Sequence, residues 1–85
     1  MQLLRTERFK KDFKRLPAEI QERAAKALEL FTLNPHHRSL NVKKMEGTPD
    51  IWELRVSDSY HITFQRVAEG VLFRRVGTHN ILRQP

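Results

Sequence analysis

The second half of the chain contains three segments in which apolar and polar residues alternate, and turn-forming residues separate them. The segments are 51–56, 60–65 and 71–76, and the turns are Ser57-Asp58-Ser59 and Glu69-Gly70. A period of two places successive side chains on opposite faces of a strand, and short turns join antiparallel strands. The pattern therefore predicts an antiparallel sheet with one apolar face.

Two amphipathic helices in the first half can cover that apolar face. Thr6 is expected to cap the first helix, whose apolar stripe consists of Phe9, Phe13 and Leu16. Pro17 cannot continue this helix but suits the first turn of a second one, which ends near Asn34-Pro35. Because the break between them is short, the two helices are expected to form an αα-hairpin.

The remaining segments complete a small α+β fold. A short strand at 2–5 precedes the helices, and a loop at 36–39, a modest strand at 40–45 and a turn at 46–50 follow them. Without the modest strand at 40–45, the main elements have the order β-α-α-β-β-β. We therefore predict an antiparallel sheet with the αα-hairpin packed on one face, in a single domain over residues 1–85.

Composition limits the class of function. The 85 residues include 16 Lys and Arg against 10 Asp and Glu, a formal net charge of +6, and no cysteine. Without cysteine there is no disulfide, thiolate metal site or cysteine nucleophile. The basic excess favours polyanionic partners, chiefly nucleic acid, and would equally attract an acidic protein. With no apolar run typical of a signal peptide or membrane span, a cytoplasmic protein without membrane contact is expected.

The hairpin centred on Asp58 predicts a cluster of polar side chains. It pairs Arg55 with His61 and Glu53 with Thr63, on the sheet face that the helices leave uncovered. The next hairpin brings His79 to the edge near His61. A solvated surface is the alternative interpretation, because antiparallel sheets often expose one face to water.

These residue types suit cleavage of RNA without a metal or cofactor. A base must take the proton of the 2′-hydroxyl, cations must stabilise the phosphorane, and an acid must protonate the 5′-oxygen. Histidine serves as acid or base at neutral pH, and the arginine fork matches phosphate. The four histidines do not have a recognised metal-ligand spacing, so no metal site is predicted.

Further basic residues are candidates for phosphate binding. Lys43 and Lys44 lie beside the sheet, and only one of them can point towards the polar cluster. Either Arg74 or Arg75 is expected to join the cluster, depending on the register of the last hairpin.

Three stretches of the sequence resemble the RelE/ParE toxin superfamily, and most of all its YafQ-like and RelE-like ribonucleases. They are 9–17 (FKKDFKRLP), 52–56 (WELRV) and 75–82 (RVGTHNIL), and Val76-Gly77-Thr78-His79 is the most specific part. The resemblance implies a microbial RNase-like fold and the toxin of a type II toxin-antitoxin system. It implies a metal-independent endoribonuclease that cleaves mRNA, often on the ribosome. It also implies an acidic antitoxin as partner and contact with operator DNA only through the toxin–antitoxin complex.

The resemblance also implies roles for individual residues. His79 is expected to be the proton donor and Arg55 the phosphorane clamp, while His61 contacts phosphate or acts as a second proton-transfer group. Glu53, which stands where RelE has a lysine, is the candidate base. The aromatic residue near the C-terminus of relatives is missing, and Arg83 is the candidate to replace its stacking.

Two alternatives to the nuclease function remain. ParE-like relatives share the fold but inhibit DNA gyrase, and a non-catalytic member would only bind its partner and nucleic acid. The histidines at 61 and 79 favour the nuclease, because a protein that only binds has no need of proton-transfer groups.

Overall fold

The computed structural model describes residues 2–85 and has the α+β fold that the sequence predicts, with two helices packed on a five-stranded sheet. The strands and helices are β1 (Gln2–Arg5), α1 (Glu7–Arg15), α2 (Ala18–Leu33), β2 (Lys43–Lys44), β3 (Ile51–Arg55), β4 (Tyr60–Val67) and β5 (Gly70–Thr78). Two 3₁₀ helices, Arg38–Leu40 and His79–Arg83, complete the secondary structure.

The predicted helix signals are confirmed at both helices. The Thr6 hydroxyl accepts a hydrogen bond from the Phe9 amide at 2.9 Å, so it caps α1 as expected. The same hydroxyl donates to the carbonyl of Arg74 at 2.7 Å, which ties the start of α1 to β5. Only Leu16 and Pro17 separate the helices, and the Gln21 side chain donates to the carbonyl of Phe13 at 2.9 Å.

The sheet is mixed rather than wholly antiparallel, which corrects one detail of the prediction. Its strand order is β1-β5-β4-β3-β2, and β1 runs parallel to β5 while all other neighbours are antiparallel. No tight turn joins β1 to β5, so local sequence does not impose an antiparallel pairing on them.

The segment 40–45 contains less strand than predicted. Leu40 ends a 3₁₀ helix and is only 2% exposed, while Asn41 has a left-handed backbone with φ 46°. Within this segment, only Lys43 and Lys44 form a strand. The chain turns here because Leu40 is buried in the core. Tertiary packing decides this burial, and the alternation of apolar and polar residues in the sequence does not reveal it.

The core lies between the helices and one face of the sheet. Its buried residues are Phe9, Ala24, Ala27, Phe31, Leu40, Leu54, Ile62, Phe64, Val71, Phe73 and Val76. Trp52 packs against this core and stacks on Phe64, with ring centroids 6.4 Å apart. Within residues 2–85, neither helix combines the length and apolar character needed to cross a bilayer.

Candidate functional site

The sheet face opposite the helices, here called the second face, carries the predicted polar residues. Arg55 pairs with His61 and Glu53 pairs with Thr63, as the hairpin centred on Asp58 predicts. On the other side of β4, His61 pairs with Gly77. The cross-strand pairing therefore places Arg55 and His61 side by side on this face.

The second face is not bare, because residues 79–85 fold back over it. Thr63 is fully buried, and its hydroxyl donates to the carbonyl oxygen of Pro85 at 3.1 Å. Ile81 is 5% exposed and lies so close to Gly77 that a Cβ added to this glycine would be 2.8 Å from Ile81 Cγ2. The expectation of an uncovered face was therefore wrong for the part that carries Thr63 and Gly77.

Both Arg74 and Arg75 contact this returning segment, although only one of them was expected near the cluster. A register shift between Thr63 and Phe64 places the two arginines together at an irregularity of the β4–β5 ladder. Arg74 donates to the carbonyl of Pro85 at 3.1 Å and to Gln65 at 2.9 Å. Arg75 donates to the carbonyl of Gln84 at 3.3 Å.

Arg75 also joins the sheet to α1 through Asp12. Its Nε and Nη2 donate to the two carboxylate oxygens of Asp12 at 2.9 and 3.1 Å, and the Val76 amide donates to Asp12 at 3.2 Å. The hydrogen bond and charge of Asp12 raise the pKa of Arg75 above its ordinary value, against the opposing effect of burial. Arg75 thus remains charged at any ordinary pH and has a structural partner.

Glu53 lies among lysines at the β2 side of the second face. It is 8% exposed, and the Lys43 ammonium lies 3.8 Å from its carboxylate. The ladder pairs Lys43 with Glu53 and Lys44 with Trp52. As predicted, only one of the two lysines is on the side of the cluster, and it is Lys43.

The remaining predicted residues lie around the Arg55–His61 pair. Arg55 is partly exposed and donates to the carboxylate of Asp58 in the adjoining turn. His61 is half-buried, and its Nδ1 is buried without a hydrogen-bond partner in residues 2–85. His79 starts the last 3₁₀ helix, two residues after Gly77, and is exposed, as is Arg83 in the same helix.

A cleft beside Arg55 contains basic residues that sequence reasoning missed. It has a volume of about 380 Å³ and is lined by Arg23, Arg38, Ser39, Arg55, Val56, Ser57 and Asp58; we call it the basic cleft. Arg23 falls on the polar side of α2 and Arg38 lies in a segment predicted as loop. No local pattern distinguishes either residue from an ordinary surface arginine.

The arrangement can bind and polarise a phosphate and can exchange protons with it. Arg55 supplies a guanidinium, and His61 and His79 supply two imidazoles near the same end of the β4–β5 ladder. In the described part of the chain, no three His, Cys, Asp or Glu side chains are grouped as a metal would require.

The sequence matches one family model over nearly its whole length. The model describes the ParE toxin of type II parDE toxin-antitoxin systems and matches residues 3–82. The chain therefore belongs to this toxin family, within the RelE/ParE superfamily. No curated protein matches the sequence significantly.

Solved structures show the same fold. A chain of the RelB–RelE antitoxin–toxin complex from Methanococcus jannaschii is 24% identical, with 95% of each chain covered and a TM-score of 0.76. A chain of the Escherichia coli RelBE complex is 25% identical over 89% of this chain and 93% of that one, with a TM-score of 0.69. A chain of the E. coli DinJ–YafQ complex is 17% identical over 95% and 96%, with a TM-score of 0.70.

Proposed function

We propose that this toxin is a metal-independent endoribonuclease that cleaves mRNA through attack of the 2′-hydroxyl on the adjacent phosphate. The observation that carries the proposal is the cross-strand pair of Arg55 and His61, with His79 two residues beyond the glycine that pairs with His61. This set offers a phosphate-binding cation and two imidazoles, the side chains that most often act as general acids and bases in catalysis.

The proposed mechanism assigns a role to each of the four residues. Arg55 binds the non-bridging oxygens and stabilises the charge that develops on the phosphorane. His79, which is exposed, donates a proton to the leaving 5′-oxygen. His61 contacts the phosphate or serves as the second proton-transfer group, and Glu53 is the candidate base for the 2′-hydroxyl.

The proposed phosphate-binding residues differ in how accessible they are to RNA. Lys43 and Lys44 are exposed beside Glu53, and Arg83 is exposed on the last 3₁₀ helix. Arg74 and Arg75 already hold the returning segment 79–85 through its carbonyl groups. Their contribution to RNA binding therefore requires that this segment move or that RNA bind next to it.

The partners in this proposal are mRNA on the ribosome and an acidic antitoxin, in the cytoplasm. Similar chains occur in complexes with RelB and DinJ, which supports an antitoxin partner here. A net charge of +6 suits both RNA and an acidic protein. We propose that operator DNA is contacted only through the toxin–antitoxin complex.

Inhibition of DNA gyrase is the second candidate function, because the matching family model describes ParE toxins. The discriminating experiment expresses the wild type and His79→Ala in cells, with mapping of mRNA 5′ ends and an assay for DNA breaks. We expect growth arrest with new mRNA ends for the wild type, and loss of both in the variant. Arrest with intact mRNA and damaged DNA would support the gyrase function instead. If neither chain is toxic, a non-catalytic role gains support.

Cleavage by the purified wild type should persist in the presence of a chelator, because no step of the proposed mechanism uses a metal. Loss of cleavage that a divalent cation restores would contradict metal independence.

A further inference from the structure

The basic cleft brings together arginines from three separate elements. Arg23 comes from α2, Arg38 from the first 3₁₀ helix and Arg55 from β3. Among residues 2–85, Asp58 is the only residue with a carboxylate that lines the cleft, and it is paired with Arg55. The lining side chains therefore have an excess of positive charge, and like charges gathered in one cleft attract an anion.

The arginines are not equally neutralised by neighbouring carboxylates. Arg23 has Glu19 at 3.9 Å, and both side chains are more than half exposed, so this pair is weak. Within residues 2–85 no carboxylate lies within 4.0 Å of Arg38. The guanidinium of Arg38 is thus available to a ligand.

The backbone that forms the cleft is fixed by hydrogen bonds and burial. The Ser39 amide donates to Nδ1 of His37 at 3.2 Å, and the neighbouring Leu40 is buried. Across the cleft, the Val56 amide donates to the carbonyl of Tyr60 at 2.9 Å. A ligand therefore orders mainly arginine ends rather than whole loops, which lowers the entropic cost of binding.

We propose that the basic cleft binds a phosphodiester group of the RNA strand next to the phosphate that is cleaved. This proposal rests on the proposed nuclease function, because Arg55 belongs both to the cleft and to the pair with His61. Guanidinium forks match phosphate oxygens, and the hydroxyl of Ser57 is a further donor to a backbone phosphate. A strand that places its reacting phosphate at Arg55 leads its neighbouring phosphate into the cleft.

The proposed contact is independent of base sequence. Basic grooves that follow the backbone of a single strand bind its phosphates and leave base identity to other contacts. Arg23 and Arg38 therefore act as binding residues that hold the strand in register with the reacting groups.

The test measures RNA binding separately from cleavage. The probe is a fluorescently labelled 2′-O-methyl RNA 12-mer of mixed sequence, which lacks the attacking hydroxyl, and the measurement is fluorescence anisotropy over a range of salt concentrations. The full chain is compared with Arg23→Gln, Arg38→Gln and the double variant. Arg8→Gln and Arg15→Gln, exposed positions on α1, remove the same charge elsewhere.

We expect each cleft variant to weaken binding by roughly three- to tenfold, uniformly across sequences, and to lower the salt slope by about 0.7 per lost contact. The α1 variants should change binding less than about twofold. Arg38→Lys should restore only part of the affinity, because an ammonium keeps the charge and loses the fork. Thermal unfolding of each variant verifies that the exposed substitutions leave the fold intact.

Three outcomes separate this proposal from the proposed function. If the wild type cleaves RNA but the double cleft variant binds the probe as tightly as the α1 controls do, the cleft proposal is wrong and the nuclease proposal stands. If the double variant retains RNA binding but no longer binds an acidic polyglutamate peptide, the cleft binds an acidic protein instead. If the wild type neither binds nor cleaves RNA, both proposals fail.

Discussion

At the scale of single residues, Arg55 belongs both to the cross-strand pair with His61 and to the basic cleft. Its guanidinium contacts Asp58 in the adjoining turn. An exposed ion pair of this kind contributes little to stability. In the proposed mechanism, Arg55 acts through the charge that it presents to a phosphate.

Replacing Arg55 with alanine should therefore slow cleavage without unfolding the protein. We expect a loss of about 2–4 kcal/mol of transition-state stabilisation, as for other electrostatic donors, and a change in the free energy of unfolding below about 1 kcal/mol. Single-turnover cleavage and urea denaturation measure the two quantities. Arg15→Ala, which removes the same charge at the end of α1, is the control. Equal cleavage by both variants would remove Arg55 from the mechanism.

Asp12 shows how one buried carboxylate joins two secondary-structure elements. It accepts hydrogen bonds from Arg75 and from the Val76 amide, and it is 11% exposed. Arg75 in turn contacts the carbonyl of Gln84, so α1, β5 and the returning segment meet at one side chain. The exposed pair between Glu22 and Lys26 on α2, with atoms 3.9 Å apart, joins no separate elements.

Asp12→Ala should be far more destabilising than Glu22→Ala. Removal of one partner of a largely buried pair leaves an uncompensated charge and costs about 3–5 kcal/mol, whereas the exposed pair is worth less than about 1 kcal/mol. Chemical denaturation of both variants measures the difference. The interpretation of Asp12 as a clamp between elements is wrong if the two substitutions cost the same.

The last 3₁₀ helix is positioned by its contact with β5. Gly77 leaves the space that Ile81 fills, and His79 lies between these two residues in the chain. The close approach, rather than a left-handed backbone, is what requires glycine here, since of the three glycines only Gly47 and Gly70 have positive φ.

Gly77→Ala is therefore expected to displace the helix that carries His79. The added methyl group overlaps Ile81 Cγ2 and should cost about 1–3 kcal/mol of stability, with reduced cleavage. In an Ile81→Ala background the same substitution should cost less, because the overlapping methyl group is gone. A double-mutant cycle on unfolding free energies measures this coupling. Additive effects would show that the contact does not constrain residue 77.

At the scale of the whole molecule, the net charge of +6 implies long-range attraction to polyanions. If Lys43, Arg55 and the two other cleft arginines neutralise three or four phosphates, log K for single-stranded RNA should fall with log salt at a slope of about −2 to −3. The slope is measured by fluorescence anisotropy of a labelled RNA between about 50 and 200 mM salt. The His79→Ala variant is used as the binding protein so that the RNA stays uncleaved. A slope near zero contradicts electrostatic binding of the strand.

The sequence by itself determined the two helices, the strands β1, β3, β4 and β5, and one hairpin register. The period of two in 51–56 and 60–65, together with the short turn at Asp58, fixes which residues of β3 and β4 pair, and the observed pairs agree. The cap at Thr6 and the break at Pro17 likewise depend on neighbouring residues, and both predictions are confirmed. Signals of this kind are local, so a single sequence suffices to read them.

Only the tertiary structure decided the parallel direction of β1, the cover that residues 79–85 provide and the meeting of arginines in the basic cleft. Each depends on contacts between residues far apart in the chain; Thr63 and Pro85, for example, are 22 positions apart. No periodicity encodes such a contact, because it arises from how the apolar faces of the helices and sheet are buried together.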